Sequence, residues 1–206
     1  MKINKITDSK YRISGLVRSD VVRDIFELFN INIQNIKDDE ITLMNVSSLV
    51  TFNEWDKSQK HDKIDYIQAE EMFDNFAAIS LYLEKMGLQI ATLDNDHLIV
   101  VNNNIFIPTN MTHLYIIKNN SITIDAPYSK NNPFLSLELQ NNNKLPYSVN
   151  YKCFYSSLAL LIYNKLIGKE NNDYLSGLKP IFGSRLYWLL RYCLLQNPEE
   201  RLIVIV

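Results

Sequence analysis

Histidine and cysteine, the side chains most typical of transition-metal sites, are few in this sequence, with three histidines and two cysteines. His61, His97 and His113 lie far apart, and none has a second ligand at the spacing typical of a metal site. Metal binding is therefore not expected. Cys153 and Cys193 each fall in a segment predicted to be helical, which favours buried, reduced thiols over a disulfide and suits a reducing compartment.

The sequence also lacks the pattern of a glycine-rich phosphate-binding loop. Such a loop needs closely spaced glycines, because the backbone must approach the phosphates without interference from Cβ atoms. The five glycines never form the pattern G-x-G-x-x-G, since they stand at positions 15, 87, 168, 177 and 183.

Composition is that of an ordinary globular protein, with 47% hydrophobic and 21% charged residues in 206. This length can bury one substantial core or two small lobes. The formal net charge of −2 gives no electrostatic argument for nucleic acid or an anionic membrane as a partner. No apolar run reaches the roughly 18–20 residues needed to cross a bilayer, and the N-terminus lacks the apolar segment of a signal peptide. An intracellular, cytoplasmic location without membrane insertion is expected.

Short elements are predicted in the first third of the chain. Apolar residues at helical spacing predict a helix over residues 20–29, with Ser19 or Asp20 as its N-cap. Two alternating segments around a charged turn predict a β-hairpin over residues 31–46. The polar and charged residues 53–66 predict a loop or linker between a small first unit and a larger second one.

A long helix opens the second part. Its apolar residues recur in steps of three or four, at Met72, Phe76, Ile79, Leu83 and Met86. Gly87 is the expected stop. A β-hairpin is predicted over residues 98–107, followed by two short strands over 114–117 and 122–124. Residues 125–150 contain three prolines and little periodicity, which predicts a loop.

The segment 154–167 is apolar on every face. It is too short to span a membrane, so it predicts a central helix buried in protein. Ser184 is the predicted N-cap of an amphipathic helix over residues 185–195. Asn197 and Pro198 suit the N-cap and first turn of a last short helix.

Three short motifs mark the last third of the chain: Ser136-Leu-Glu138, Ser157-Leu-Ala159, and Cys193-Leu194 followed by Asn197-Pro-Glu-Glu-Arg201. Together with the order of the predicted elements, they resemble the large lobe of a eukaryotic-type protein kinase. In that family the corresponding motifs are Ala-Pro-Glu at the end of the activation segment, Ser-Leu-Gly in the central helix, and Cys-Leu…Asp-Pro…Arg.

This resemblance implies a fold and an ion pair. The fold is α+β and protein-kinase-like, consisting mainly of the helical large lobe over residues 69–206. Residues 1–68 correspond to a reduced N-terminal lobe, with a helix, a short β-hairpin and a linker. Glu138 and Arg201 take the positions of the buried pair that ties the activation segment to the lobe. A carboxylate–guanidinium pair of this kind is geometrically specific.

The residues that a kinase needs for catalysis are replaced. Alignment on the predicted strand after the long helix puts Thr92 at the catalytic aspartate, His97 at the metal-binding asparagine and Thr109 at the metal-binding aspartate. Threonine cannot accept a proton as a carboxylate does, and histidine is a poor ligand for magnesium. Asp94 and Asp96 lie nearby and are the candidates for a substitute base.

Three functions are compatible with these residues. The first is a catalytically inactive kinase-like domain, or pseudokinase, that binds another protein as a scaffold or regulatory module. It needs no cofactor, although metal-independent ATP binding stays open. The second is an unconventional Ser/Thr protein kinase that uses Asp94 or Asp96. The third is a structural or virion component of α+β fold.

The last third of the chain is also similar to degenerate kinase-like proteins of large nucleocytoplasmic DNA viruses. The abundance of asparagine and isoleucine agrees with such an origin. A viral origin would imply a location in the host cytoplasm or the virion.

Overall fold

The computed structural model describes residues 1–59, 63–129, 131–142, 144–168 and 174–203. It is a mixed α/β structure, which confirms the expected class at that level. The strands are β1 (Lys2–Thr7), β2 (Lys10–Ser14), β3 (Asn32–Lys37), β4 (Glu40–Met44), β5 (Leu49–Thr51), β6 (Leu88–Ile90), β7 (Leu98–Val101), β8 (Ile105–Pro108), β9 (Leu114–Ile116), β10 (Ser121–Ile124) and β11 (Tyr147–Asn150). The α-helices are α1 (Ser19–Leu28), α2 (Phe52–Lys57), α3 (Tyr66–Lys85), α4 (Leu137–Gln140), α5 (Cys153–Leu166), α6 (Tyr174–Gly177) and α7 (Arg185–Cys193).

The chain forms two compact units. The first unit consists of Met1–Gln59 and Asn95–His113, and the second consists of Lys60–Asp94 and Leu114–Val206. The division therefore differs from the expected one after residue 68, because residues 95–113 cluster with the N-terminal segment.

A four-stranded antiparallel sheet in the order β1-β2-β4-β3 belongs to the first unit. The predicted hairpin over residues 31–46 is confirmed as β3 and β4. The sequence did not predict β1 and β2. In β1 nearly every residue is exposed, so the strand lacks the alternation of apolar and polar residues that would indicate it.

Helix α1 packs on this sheet through four buried residues, Val21, Val22, Ile25 and Phe26. The helix was predicted correctly, but its predicted N-cap is wrong. Arg18 precedes the first turn in a left-handed conformation with φ 55°, and no side chain caps the helix. Ser19 is instead the first helical residue, and its hydroxyl donates to the carbonyl of Asp38.

Helix α2 overturns part of the predicted linker over residues 53–66. Thr51 and Glu54 form a capping box, in which each side chain accepts from the backbone N–H of the other. Phe52 and Trp55 are buried, and their rings lie 6.2 and 4.9 Å from that of Phe106 on β8. Because charged and polar residues surround Phe52 and Trp55 in the sequence, this short aromatic face does not produce a recognisable helical pattern.

The predicted hairpin over 98–107 is confirmed as β7 and β8, and β5 pairs with the free edge of β7.

Helix α3 begins the described part of the second unit. Asp65 and Gln68 form a second capping box at its start. Met72, Phe76, Ile79 and Leu83 of the predicted stripe are buried, whereas Met86 follows the last helical turn and is half exposed. Gly87 ends the helix with φ 71°, a conformation that costs glycine little.

Small antiparallel pairs of strands follow. The two strands predicted around residues 114–124 exist, but β9 pairs with β6 and β10 pairs with β11. The prediction of a loop over residues 125–150 is wrong in two places, since α4 and β11 lie within it. Both are four residues long, which is too short for a periodic pattern to be visible in the sequence.

Helix α5 is the centre of the second unit. Every residue from Cys153 to Tyr163 is buried, which confirms the prediction of a helix surrounded by protein. Helices α3 and α7 pack against it. The hydroxyl of Ser184 accepts from the backbone N–H of Tyr187, and Asn197 caps a single 3₁₀ turn over 198–200, both as predicted. Among the described residues, no helix is long and apolar enough to cross a membrane.

Both cysteines were correctly predicted to be buried. Cys153 lies on α5 and Cys193 at the end of α7, and both are free thiols. Burial raises the pKa of Cys193 to about 12 and that of Cys153 further. Both therefore stay protonated near neutral pH and are poor nucleophiles.

Candidate functional site

The structure brings Glu138 and Arg201 together. A guanidinium Nη of Arg201 lies 2.6 Å from a carboxylate oxygen of Glu138 on α4. The Arg201 side chain is 2% exposed and that of Glu138 is 19% exposed. The contact is an ion pair rather than an aligned hydrogen bond, since neither carboxylate oxygen of Glu138 has a hydrogen-bond partner among the described residues. In this mostly buried environment solvent screens the two charges little.

Arg201 also binds three backbone carbonyls. Its Nε donates to Leu195 at 2.8 Å, and its two Nη atoms donate to Lys152 at 3.3 Å and Gln196 at 3.4 Å. In return, the ammonium of Lys152 donates to the carbonyl of Arg201 at 2.8 Å. One guanidinium therefore links α4, the start of α5 and the segment after α7, with its buried donors satisfied.

Residues 91–94, which we call the anchored loop, are bound to the middle of α5. The hydroxyl of Thr92 lies 3.0 Å from that of Ser157, and the backbone N–H of Leu93 donates to Ser157 Oγ at 2.9 Å. Thr92 and Leu93 are 6% and 1% exposed. Thr92, the residue aligned with a catalytic aspartate, is thus engaged in a buried hydrogen-bond network.

Two further residues bind the same loop. The side-chain amide of Asn132 donates to the carbonyl of Leu93 at 2.8 Å, and its oxygen accepts from the N–H of Phe134 at 2.9 Å. The thiol of Cys153 lies 3.5 Å from the carbonyl of Ala91. Side-chain hydrogen bonds therefore connect the anchored loop both to α5 and to the segment that precedes α4.

In the first unit, His97 and Thr109 are joined through the backbone. The N–H and the hydroxyl of Thr109 donate to the carbonyl of His97 at 2.8 and 3.0 Å. The side-chain amide of Asn110 lies 3.3 Å from His97 Nε2. These contacts place Thr109 at the end of β8, with its hydroxyl committed to a neighbouring carbonyl.

The two candidate bases differ in their surroundings. Asp96 is exposed in a 3₁₀ turn of the first unit, and its carboxylate accepts from the side-chain amide of Asn53 on α2 at 2.7 Å. Asp94 is half-buried and ends the first segment of the second unit. His61, which was considered as a metal ligand, lies outside the described residues.

Sequence reasoning missed a buried polar network between α3 and α5. One carboxylate oxygen of Glu84 accepts from Tyr155 at 2.8 Å, Ser80 at 2.9 Å and Gln89 at 3.1 Å. Burial, together with the charge of Glu84, raises the pKa of Tyr155. The available signal in the sequence was Ser80 directly after Ile79 of the apolar stripe of α3, together with Gln89 between the apolar residues Leu88 and Ile90.

A cavity of about 580 Å³ in the second unit is lined in part by Asn132, the residue that binds the carbonyl of Leu93. Leucine, proline and tyrosine side chains line it together with amides, among them Tyr128, Tyr147, Asn132 and Gln140. None of the described lining residues is charged. Such a lining suits an uncharged group and offers nothing that would bind a phosphate.

Across the residues that the structure describes, no group of three or more histidine, cysteine, aspartate or glutamate side chains is placed to hold a metal ion.

Comparison with models of protein families finds no match to this chain, and a search of curated proteins finds no similar sequence.

Proposed function

We propose that this chain is a pseudokinase: a kinase-like domain that does not transfer phosphate and that acts by binding another protein. The proposal rests on the burial and the hydrogen-bond contacts of Thr92. Its hydroxyl is buried and lies within hydrogen-bond distance of Ser157, at 3.0 Å, and of the Asn132 amide, at 3.4 Å. The position aligned with the catalytic base is thereby used to hold the structure together.

Phosphoryl transfer depends on a group that orients the attacking hydroxyl and takes up its proton. Protein kinases use an aspartate for this role, together with magnesium ions that neutralise charge on the transferring phosphoryl group. A threonine hydroxyl stays protonated at neutral pH and cannot replace the carboxylate. The hydroxyl of Thr109, at the position of the metal-binding aspartate, is bound to the carbonyl of His97.

The second unit supports the kinase-like part of the proposal. Its central helix α5 is buried, and Glu138 meets Arg201 in a buried pair, as the resemblance requires. The two residues are far apart in sequence, and the pair ties α4 to the end of the described chain. This combination supports the proposal over an α+β structural protein without kinase ancestry, because the resemblance gives a reason to expect this particular pair.

The alternative of an unconventional kinase rests on Asp94 or Asp96. The contact between Asp96 and Asn53 holds its carboxylate against α2, which argues against Asp96 as a base. Asp94 is therefore the better candidate to test, because it is the last residue of the anchored loop and lies two positions after Thr92.

A phosphate-transfer assay tests this proposal. Purified protein is incubated with labelled ATP, magnesium and a mixed serine/threonine peptide substrate, beside the variants Asp94→Asn and Asp96→Asn. We expect the wild type to incorporate no more label than either variant, into the peptide or into itself. Incorporation by the wild type that is lost in Asp94→Asn would establish an unconventional kinase and overturn the proposal.

A further inference from the structure

Four aromatic rings of the second unit contact one another in series, and we call them the aromatic surface: Phe182, Tyr187, Trp188 and Tyr192. Neighbouring ring centroids lie 5.0 Å apart for Phe182–Tyr187, 5.0 Å for Tyr187–Trp188 and 6.5 Å for Trp188–Tyr192. The first two contacts are edge-to-face. These contacts hold the rings in a fixed arrangement on α7 and on the turn before it.

Three of these rings are exposed to solvent. Phe182 is 70% exposed, Trp188 40% and Tyr192 41%, whereas Tyr187 is buried beneath them. An isolated apolar side chain at a surface needs no explanation, but contiguous exposed aromatic rings mark interaction sites. Tryptophan, tyrosine and arginine are also the residues most enriched among those that dominate binding energy at protein interfaces.

Two exposed cations, Lys179 and Arg191, lie in the same segment as these rings. The guanidinium carbon of Arg191 lies 5.3 Å from the centre of the Trp188 ring, a cation–π contact. Residues 174–198 contain no aspartate or glutamate, although the chain as a whole carries a net charge of −2. Of the three cations in this stretch, Arg185 is bound to Asp74. Lys179 and Arg191 are exposed, and neither forms an ion pair with a described residue.

We propose that the aromatic surface binds an acidic, amphipathic peptide segment of a partner protein. The partner's apolar side chains would pack on Phe182, Trp188 and Tyr192, and its carboxylates would pair with Arg191. Charge complementarity selects this occupant, since Lys179 and Arg191 are exposed and have no ion-pair partner among the described residues, so the carboxylates of a bound segment gain favourable contacts there. This inference rests on the proposed binding function and assigns it a surface and a class of partner.

Stacking rings beside a guanidinium are also found where proteins bind single-stranded nucleic acid. Such binding relies on a basic groove that follows several phosphates, and its affinity derives mainly from them. The aromatic surface offers two cations without described acidic partners. An acidic peptide, which needs only one or two such pairings beside apolar contacts, therefore fits the observations better.

The two tryptophans of the chain make a direct test possible. Trp188 is exposed on the aromatic surface, whereas Trp55 is buried in the first unit. In a Trp55→Phe background, tryptophan emission and its quenching by acrylamide therefore report on Trp188 alone. The probe is a synthetic peptide in which Asp and Glu flank Phe and Leu, and the control peptide has Lys in place of every acidic residue. Oligothymidylate is the nucleic-acid probe.

We expect the acidic peptide to shift the emission to shorter wavelength and to protect Trp188 from acrylamide, and the lysine peptide to do neither. Because Arg191→Glu reverses the charge at the centre of the surface, it should weaken peptide binding by about tenfold. The matched control is Ile116→Ala, which removes a 62% exposed apolar side chain from β9 and should leave binding unchanged. For the variants, binding is followed by fluorescence anisotropy of a labelled peptide.

Absence of binding by the acidic peptide would overturn the inference, as would equal binding of the two peptides or tighter binding of oligothymidylate. The peptide titrations contain no ATP. A negative result therefore rejects this surface and this class of partner, whereas the proposed lack of catalysis is tested separately by the phosphate-transfer assay.

Discussion

Replacing Arg201 by alanine is expected to destabilise the second unit by about 3–5 kcal/mol, the usual cost of removing one partner of a buried ion pair. The substitution leaves the mostly buried Glu138 carboxylate without its cation. It also removes the donors to the carbonyls of Leu195, Lys152 and Gln196. The measurement is urea-induced unfolding, followed by the fluorescence of Trp188 in a Trp55→Phe background so that only the second unit is observed.

Arg185→Ala is the matched control for this experiment. Arg185 makes two hydrogen bonds to Asp74, at 2.7 and 3.1 Å, but the two side chains are 32% and 44% exposed. Exposed pairs of this kind contribute about 1 kcal/mol or less. Equal destabilisation by the two substitutions would contradict a special role for Arg201.

A double-mutant cycle with Glu138→Ala separates the ion pair from the carbonyl contacts. If the pair contributes as argued, the double variant should be less destabilised than the sum of the two single variants, because neither charge is then left buried alone. Additive effects would mean that Arg201 acts through the carbonyls rather than through Glu138.

Replacing Ser157 by alanine is expected to cost about 1–3 kcal/mol, the penalty for leaving a buried donor unsatisfied. Ser157 Oγ is the acceptor for the N–H of Leu93, and both residues are almost fully buried. The loss should appear in urea unfolding of the second unit. It should also appear as faster amide hydrogen exchange in residues 91–94, because the anchored loop is released from α5.

The neighbouring Ser156 provides the control. It is also buried on α5, but its hydroxyl makes no hydrogen bond to a described residue. Ser156→Ala should therefore change the stability by no more than about 0.5 kcal/mol, since alanine suits a helix at least as well as serine. If Ser156→Ala were as harmful as Ser157→Ala, the hydrogen bond would not explain the effect.

Elements with long or complete apolar faces could be predicted from the sequence. Helix α5 is apolar all round, and α3 has a stripe at helical spacing, so burial alone determines both. The hairpins at 31–46 and 98–107 were also predicted, because asparagine or charged turns separate alternating or apolar segments. In each of these elements the local pattern and the tertiary environment favour the same structure.

Other elements depend on contacts that no local pattern reveals. The short helix α2 is defined by a capping box and by rings that pack on Phe106, far away in the sequence. The hydrogen bonds from Ser157 to the anchored loop connect residues more than sixty positions apart. Serine on an all-apolar helix suggests such a contact, but its partner is known only from the fold.

The ion pair between Glu138 and Arg201 is an intermediate case. Neither residue is informative alone, and the pairing was inferred from motifs resembling those of protein kinases rather than from spacing. The carbonyls that surround the Arg201 guanidinium had no counterpart in that inference.

A thermal-shift titration with ATP and ADP, each with magnesium and with a chelator, tests the central claim of a kinase-like domain without phosphate transfer most directly. A ligand that binds only the folded state at a hundredfold excess over its Kd stabilises by about 2.7 kcal/mol, a change that is easily detected. We predict that magnesium makes no difference to the melting temperature in the presence of either nucleotide. A rise in melting temperature that requires both nucleotide and magnesium would contradict the claim, since it would reveal the metal–nucleotide site on which kinase catalysis depends.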